Sequence, residues 1–272
     1  MKSSLGLNAE LPVLDLLKEA VTLLWSKRSV VVAMFLPVIA LLALLDMIST
    51  QYFTPADAML EQGLDVGESL SFGGTQLVFM AVSLVLSVLM ATACHRFTLL
   101  PPSQWERNAL HGFRKGEWRY LWRSMLLGFL CGALIVIGVV IFMVLPPAIM
   151  PLGILLSVIA VIYVFSRLAI TLPEIALGVF SPLSRAWQLS EGNGGRLMLV
   201  MIVVPVALCL PFLLLFALDS TLINYVATMG IYLATLVAIV LQSLSYRFLL
   251  SFYEPDNPLL QEIAAVPTSL DA

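Results

Sequence analysis

Few residues in this chain could do chemistry. There are two histidines, His95 and His111, and three cysteines, Cys94, Cys131 and Cys209, in 272 residues. Metal-assisted hydrolysis needs histidines and carboxylates converging on an ion. His95 is followed by Arg96 and Phe97 rather than an acidic cluster, and His111, near Glu106 and Glu117 in a basic stretch, reads as a solvated surface residue. The cysteines sit in or beside three separate apolar segments without CxxC spacing and read as small apolar side chains. The sequence contains no Walker loop, GxSxG or HExxH. The glycines of 192–195 follow a helical segment rather than a strand, which makes them a helix stop and hinge rather than a phosphate cradle. No cofactor, no metal and no catalysis by this chain are expected.

The remaining candidates are cations and aromatics in two polar stretches. Residues 94–123 are dense in Arg, Lys and Trp and hold Arg96, Arg114, Lys115, Arg119 and Arg123. Residues 166–199 hold Arg167, Glu174, Arg185, Trp187 and Arg196. Arginines interleaved with aromatics can bind nucleic acid, but beside apolar helices they meet anionic headgroups and seat Trp at the interface. Membrane lipids are therefore the expected partners, with a membrane-protein partner second and no nucleic acid. Glu174, directly after Leu172-Pro173, is expected to pair with Arg167 or Arg185; the alternative is an acid facing a lipid or a partner. Ser181-Pro182 reads as a helix start, Ser as N-cap and Pro at the first position, with Leu183, Ala186 and Trp187 toward the membrane.

The elements carrying these residues follow from composition. With 60% hydrophobic and 11% charged residues and a mean hydropathy of +1.00, the chain falls outside the soluble range. A hydrocarbon core of about 30 Å needs roughly 20 apolar residues per crossing. Six spans are predicted, at residues 30–48, 75–93, 124–145, 148–166, 197–218 and 220–246. Pro146, Pro147, Pro151 and Gly153 reverse the third into the fourth, and Asp219 separates the last two. All 14 Lys and Arg then fall on one side, while Asp46, Asp57, Glu61, Asp65, Glu68 and Asp219 fall on the other. The positive-inside rule makes the basic side cytoplasmic and places both termini there.

Residues 1–10 read as an uncleaved polar leader. Residues 11–28 form an amphipathic helix with Leu14, Leu17, Val21 and Leu24 opposite Asp15, Lys18, Glu19, Thr22 and Ser26. It lies on the membrane or packs on the protein's own cytoplasmic side, and Trp25 beside Lys27 and Arg28 marks the interface. Residues 49–74 form an acidic outer loop, and 253–272 a cytoplasmic tail.

A threefold pattern organises the whole. Even spans end in an Arg followed by an apolar stretch and Pro: Arg96 and Pro101, Arg167 and Pro173, Arg247 and Pro255. Odd spans follow an Arg, with a helix-loosening residue nine positions on: Arg28 and Pro37, Arg123 and Gly132, Arg196 and Pro205. The pattern gives three helical hairpins, each preceded by a surface segment; snorkelling arginines alone would produce part of it. Pro37, Pro205 and Pro211 within spans are also hints of a transport site. Against that, no charge sits at mid-span, and the deep polar residues Ser83, Ser87, Ser157, Gln242 and Ser243 serve equally as packing hydrogen bonds.

Arg167-Leu168-Ala169, Leu172-Pro173, Ser184 to Ser190 (SRAWQLS) and Gly192 to Leu197 (GNGGRL) resemble the connector of the glycerophosphoryl diester phosphodiesterase membrane-domain family. Its pattern is an RLxLxxP run followed by AWxLT-G-N-WRL; here Ser190 replaces the usual Thr and Gly195 an aromatic. The resemblance extends over nearly the whole chain and implies a bacterial inner-membrane protein of six helices. It implies no activity, because the hydrolase barrel joined to this module in some members is not in this sequence. The expectation is an all-α, multi-pass protein acting non-catalytically through lipid or protein contacts in envelope homeostasis or assembly. Transport or lipid translocation is the alternative, and a membrane-embedded enzyme the weakest reading.

Overall fold

In hydrocarbon every backbone N–H and C=O needs an internal partner, which a continuous helix supplies residue by residue. The computed structural model describes residues 9–52, 66–143, 146, 150–218 and 220–260, and no strand occurs among them. Six of its helices are long and apolar enough to cross a membrane. The protein is an all-α, polytopic membrane protein.

In chain order the helices are α1 (Val13–Ser26), α2 (Arg28–Tyr52), α3 (Val66–Leu99), α4 (Lys115–Met143), α5 (Met150–Ala169), α6 (Leu172–Ala176), α7 (Leu183–Leu189), α8 (Gly194–Met198), α9 (Val204–Leu215) and α10 (Thr221–Tyr253). A π-helical segment, Leu199–Val203, joins α8 to α9 as one span. Pro205 explains it: with no N–H to bond the preceding turn and a ring that crowds it, proline is accommodated by a local widening.

The spans outgrow the windows expected from hydropathy. At 1.5 Å per residue α3 and α10 are each about 50 Å long, against a core of about 30 Å. Residues 49–52 and 66–74, expected in a loop, are helical. Asp57, Glu61, Asp65 and Asp219, together with the Glu68 side chain, lie outside the described residues. Helix α4 starts at Lys115 rather than 124, because the Glu117 carboxylate accepts the Arg114 N–H at 2.9 Å and starts the helix there. After Gly116 in its first turn, no Gly or Pro interrupts it before Gly128. Lys115, Arg119 and Arg123 therefore ride on a span helix and not on a surface segment.

The spans pair as three hairpins, α2 with α3, α4 with α5, and α9 with α10. Lipid tails are as apolar as the helices, so association relies on close packing and interhelical hydrogen bonds rather than on water. Small residues permit the approach. A Cβ on Gly138 would strike Ser157, one on Gly153 the Phe142 ring, and one on Gly230 the Phe212 ring. Helix α10 is the hub, touching α1, α2, α3, α6, α7 and α9. Burial concentrates at its C-terminal half, where Val240, Leu241, Leu244, Tyr246, Leu249 and Leu250 are closed off against Phe35, Phe97 and Leu189. By contrast, α9 buries no residue.

Helix α1 packs on α10, through a different stripe from the one expected. Leu16 and Ala20 face the protein, whereas Leu14, Val21 and Trp25 point outward. The apolar arc is wide enough to serve both the protein and an outer apolar phase. The described end of the leader is not free either. The Asn193 amide clips its last residues, accepting the Leu11 N–H at 3.0 Å and donating to Ala9 O at 2.8 Å, while Tyr253 Oη accepts the Ala9 N–H at 3.1 Å.

Candidate functional site at the basic end

Each hairpin-ending arginine turns back into the protein. Arg96 forms an ion pair with Glu117 at 2.7 Å and donates from Nε to Ala176 O of α6. Arg167 donates from Nε to Ser190 Oγ at 2.9 Å and from Nη2 to Trp187 O at 2.6 Å, and its guanidinium lies 3.6 Å from the Trp187 ring centroid. Arg247 pairs with Glu19 on α1. Arg167 and Arg247 thus engage the segment that leads into the next hairpin, the latter closing the cycle onto α1, whereas Arg96 holds the first turn of α4 and the connector that follows α5. This corrects the snorkelling expectation: Arg96 and Arg167, expected at the headgroups, spend their donors inside the fold.

The second connector is locked in the same way. Helix α5 stops before Thr171, and α6 restarts with Pro173 in its first turn, where a missing N–H costs nothing. That places Glu174, buried, 3.2 Å from Arg185 Nε, as the ion-pair expectation had it. Arg185 also grips Glu254 with both terminal nitrogens, at 2.7 and 3.0 Å. Burial opposes the charge on Arg185, but the hydrogen bonds and attraction of Glu254 and Glu174 win and raise its pKa. Burial likewise opposes the Glu254 carboxylate, and hydrogen bonds from Arg185 and Asn257 hold its pKa below the usual range. Helix α7 buries Ala186 and Leu189 in the core rather than setting Ala186 toward the membrane, and Trp187 is half-exposed. Ser181 does not cap it: Pro182 occupies the N-cap. Gly192, with φ +77°, makes the expected helix stop. Gly194 lets α8 approach α5, where a Cβ would enter the Tyr163 ring. Arg196 pairs at the surface with Glu10.

In the first connector His111 is not a solvated histidine. Its Nδ1 donates to Gly112 O at 2.9 Å, and its Nε2 lies 3.9 Å from Glu117. Arg114, exposed, pairs with Glu106 at 3.0 Å, and Lys115 is exposed. His95 is the centre of a buried network that sequence reasoning missed. Ser243 Oγ donates to Ile239 O and so accepts from His95 Nδ1 at 2.7 Å; Nε2 then accepts from Tyr120 Oη at 3.2 Å. These bonds fasten α3, α4 and α10 together, and Gln242 adds a bond to Ala169 O at 2.7 Å. The only hint was Ser243 and Gln242 among the deep polar residues. Among the described residues no group of three His, Cys, Asp or Glu could hold a metal ion.

Arg119 and Arg123 differ from the ion-paired arginines. They line a cleft of about 330 Å³ between the first turns of α4 and the α6–α7 link, walled by Trp118, Trp122, Leu126, Ile175, Val179 and Phe180. Each donates to a carbonyl, Arg119 to Gly178 O at 2.7 Å and Arg123 to Ser181 O at 3.0 Å. Neither forms an ion pair with a described carboxylate. Arg123 Nε and Ser181 Oγ, both buried, have no hydrogen-bond partner.

A second cavity, about 620 Å³, opens at the opposite end between α2 and α10, lined by Asp46, Thr50, Phe216, Asn224, Thr228 and Tyr232 among others. Tyr232 donates to Asp46 there at 2.6 Å. No family model, curated protein or solved structure matches the chain.

Proposed function

We propose that the chain is a non-catalytic protein of a bacterial inner membrane, with both termini in the cytoplasm, acting through lipid or protein contacts in envelope homeostasis or assembly. The likeness of its second connector to that of the glycerophosphoryl diester phosphodiesterase membrane-domain family belongs to the same proposal. Its main support is where the charge goes. The basic end gathers Lys18, Lys27, Arg28 and the arginines of both connectors, the asymmetry that holds an end in the cytoplasm. At that end most buried ionic groups are consumed in holding the connectors to the helices, which is the work of a scaffold. What stays outward is Trp25, Trp118, Trp122, Phe180, Lys115 and Arg119, an interfacial set of aromatics and cations.

The test is affinity purification of the full chain from native membranes in a mild detergent, with retained proteins and lipids identified together. A stoichiometric protein or an enriched anionic lipid is expected; recovery of neither above an unrelated six-helix control refutes the reading. A reporter after Ala272 should be cytoplasmic and one near Gly67 external. Transport or lipid translocation is the second reading, favoured by the polar cavity around Asp46, Asn224 and Tyr232. Flux of solute or lipid in reconstituted vesicles, lost in Asp46→Asn, would establish it instead.

A further inference from the structure

We propose that the Arg119–Arg123 cleft seats one anionic glycerophospholipid, its phosphate held by the two guanidiniums and Ser181 Oγ and its acyl chain running along α4. The proposal rests on the reading of the protein as one that works through lipid contacts, and it names the place and the ligand.

Three observations carry it. The first is unspent polarity. Buried polar groups nearly always find partners, yet Ser181, only 2% exposed, leaves its hydroxyl unpaired, and so does Arg123 Nε beside it. A phosphate oxygen would satisfy both, since each is a donor. The second is unspent charge. Arg96, Arg114, Arg185, Arg196 and Arg247 all have carboxylate partners, and Arg167 has the Trp187 ring and two acceptors. Arg119 and Arg123 share one cleft and have only one carbonyl each. Guanidinium groups suit phosphate because they offer paired, charge-assisted donors.

The third is the wall, which decides between a membrane lipid and a soluble phosphate. Trp122 is 66% and Phe180 81% exposed, with Trp118 and Leu126 also open. A free anion has no use for such a lining, whereas an acyl chain covers it. Further along α4 the surface stays open over Gly128 and Gly132, bordered by Met125, Phe129 and Ala133, and missing side chains there leave a channel for a chain leaving the cleft. Trp118 and Trp122 flank the head-to-tail boundary, as Trp does at membrane interfaces.

The experiment uses the full chain, exchanged into delipidating detergent and titrated under native mass spectrometry with phosphatidylglycerol, with phosphatidylcholine, and with phosphatidylglycerol plus excess inorganic phosphate. One saturable phosphatidylglycerol is expected, bound about tenfold or more tighter than phosphatidylcholine and not displaced by phosphate. R119Q/R123Q should weaken it by about a hundredfold and S181A by about tenfold, as loss of charge-assisted bonds implies. K18Q/R107Q removes the same formal charge from exposed positions elsewhere at the basic end and should leave it unchanged. Should R119Q/R123Q misfold, S181A decides alone, because its hydroxyl makes no native bond. Equal binding of phosphatidylcholine, displacement by phosphate, equal loss in K18Q/R107Q, or no loss in S181A would each overturn the proposal. If the cleft stays empty while lipids or proteins still co-purify with the wild type, the site is refuted and the broader contact reading stands.

Discussion

Arg185 and Arg123 stand at the same end of the bundle and meet opposite fates. Arg185 closes a cluster with Glu174 and Glu254 and has two carboxylates for one guanidinium. Arg123 has a single carbonyl and a bare Nε. The first arrangement fixes one helix to another; the second leaves donors pointing at nothing the chain provides. Charge is spent inward where it must hold the connectors and left outward where a ligand can use it.

The contrast breaks most visibly at the closed cluster. Arg185→Ala should cost about 3–5 kcal/mol, because Glu174 would remain buried without a counter-charge, read as a fall in the thermal midpoint in detergent. Arg167→Ala should cost less, about 2–3 kcal/mol, leaving Ser190 Oγ without its donor and Trp187 O with the Ser190 hydroxyl alone. Arg167→Lys should recover under half of that, since an ammonium cannot reproduce the flat stacking on Trp187; paired melts measure it.

Titration probes the same cluster more gently. The Glu254 pKa is lowered by Arg185 and Asn257 from its ordinary value of 4.5, so its stabilisation is full above that value. It drains away as pH falls through the lowered one. Unfolding of the wild type followed from pH 6 downward should show that loss, and Arg185→Gln should flatten the Glu254 part of it. The smallest effect belongs to the open side. Ser181→Ala should change stability by less than about 0.5 kcal/mol, since it deletes a hydroxyl with no native bond; a large drop would mean that the cleft is as structural as the cluster.

Hydropathy located all six spans, and proline and glycine placed the breaks at Pro173 and Gly192, because those signals act within a turn or two of chain. It misjudged helix ends. Residues 115–123 carry charges that hydropathy reads as outside the membrane, although nothing in them stops a helix that Glu117 has started. The Glu174–Arg185 pair was legible because its members are eleven residues apart on one connector. Glu254, 69 residues beyond Arg185, and Ser243, 148 beyond His95, were not, because no local rule links residues so distant.

By itself, then, the sequence determined the class, the number of crossings and the charge asymmetry, all of which depend on composition along short windows. Only the tertiary structure decided which arginines were spent. Arg119 and Arg167 are alike as residues beside an apolar span, and packing alone brings Ser190 and the Trp187 ring to one while leaving the other a carbonyl and an open cleft.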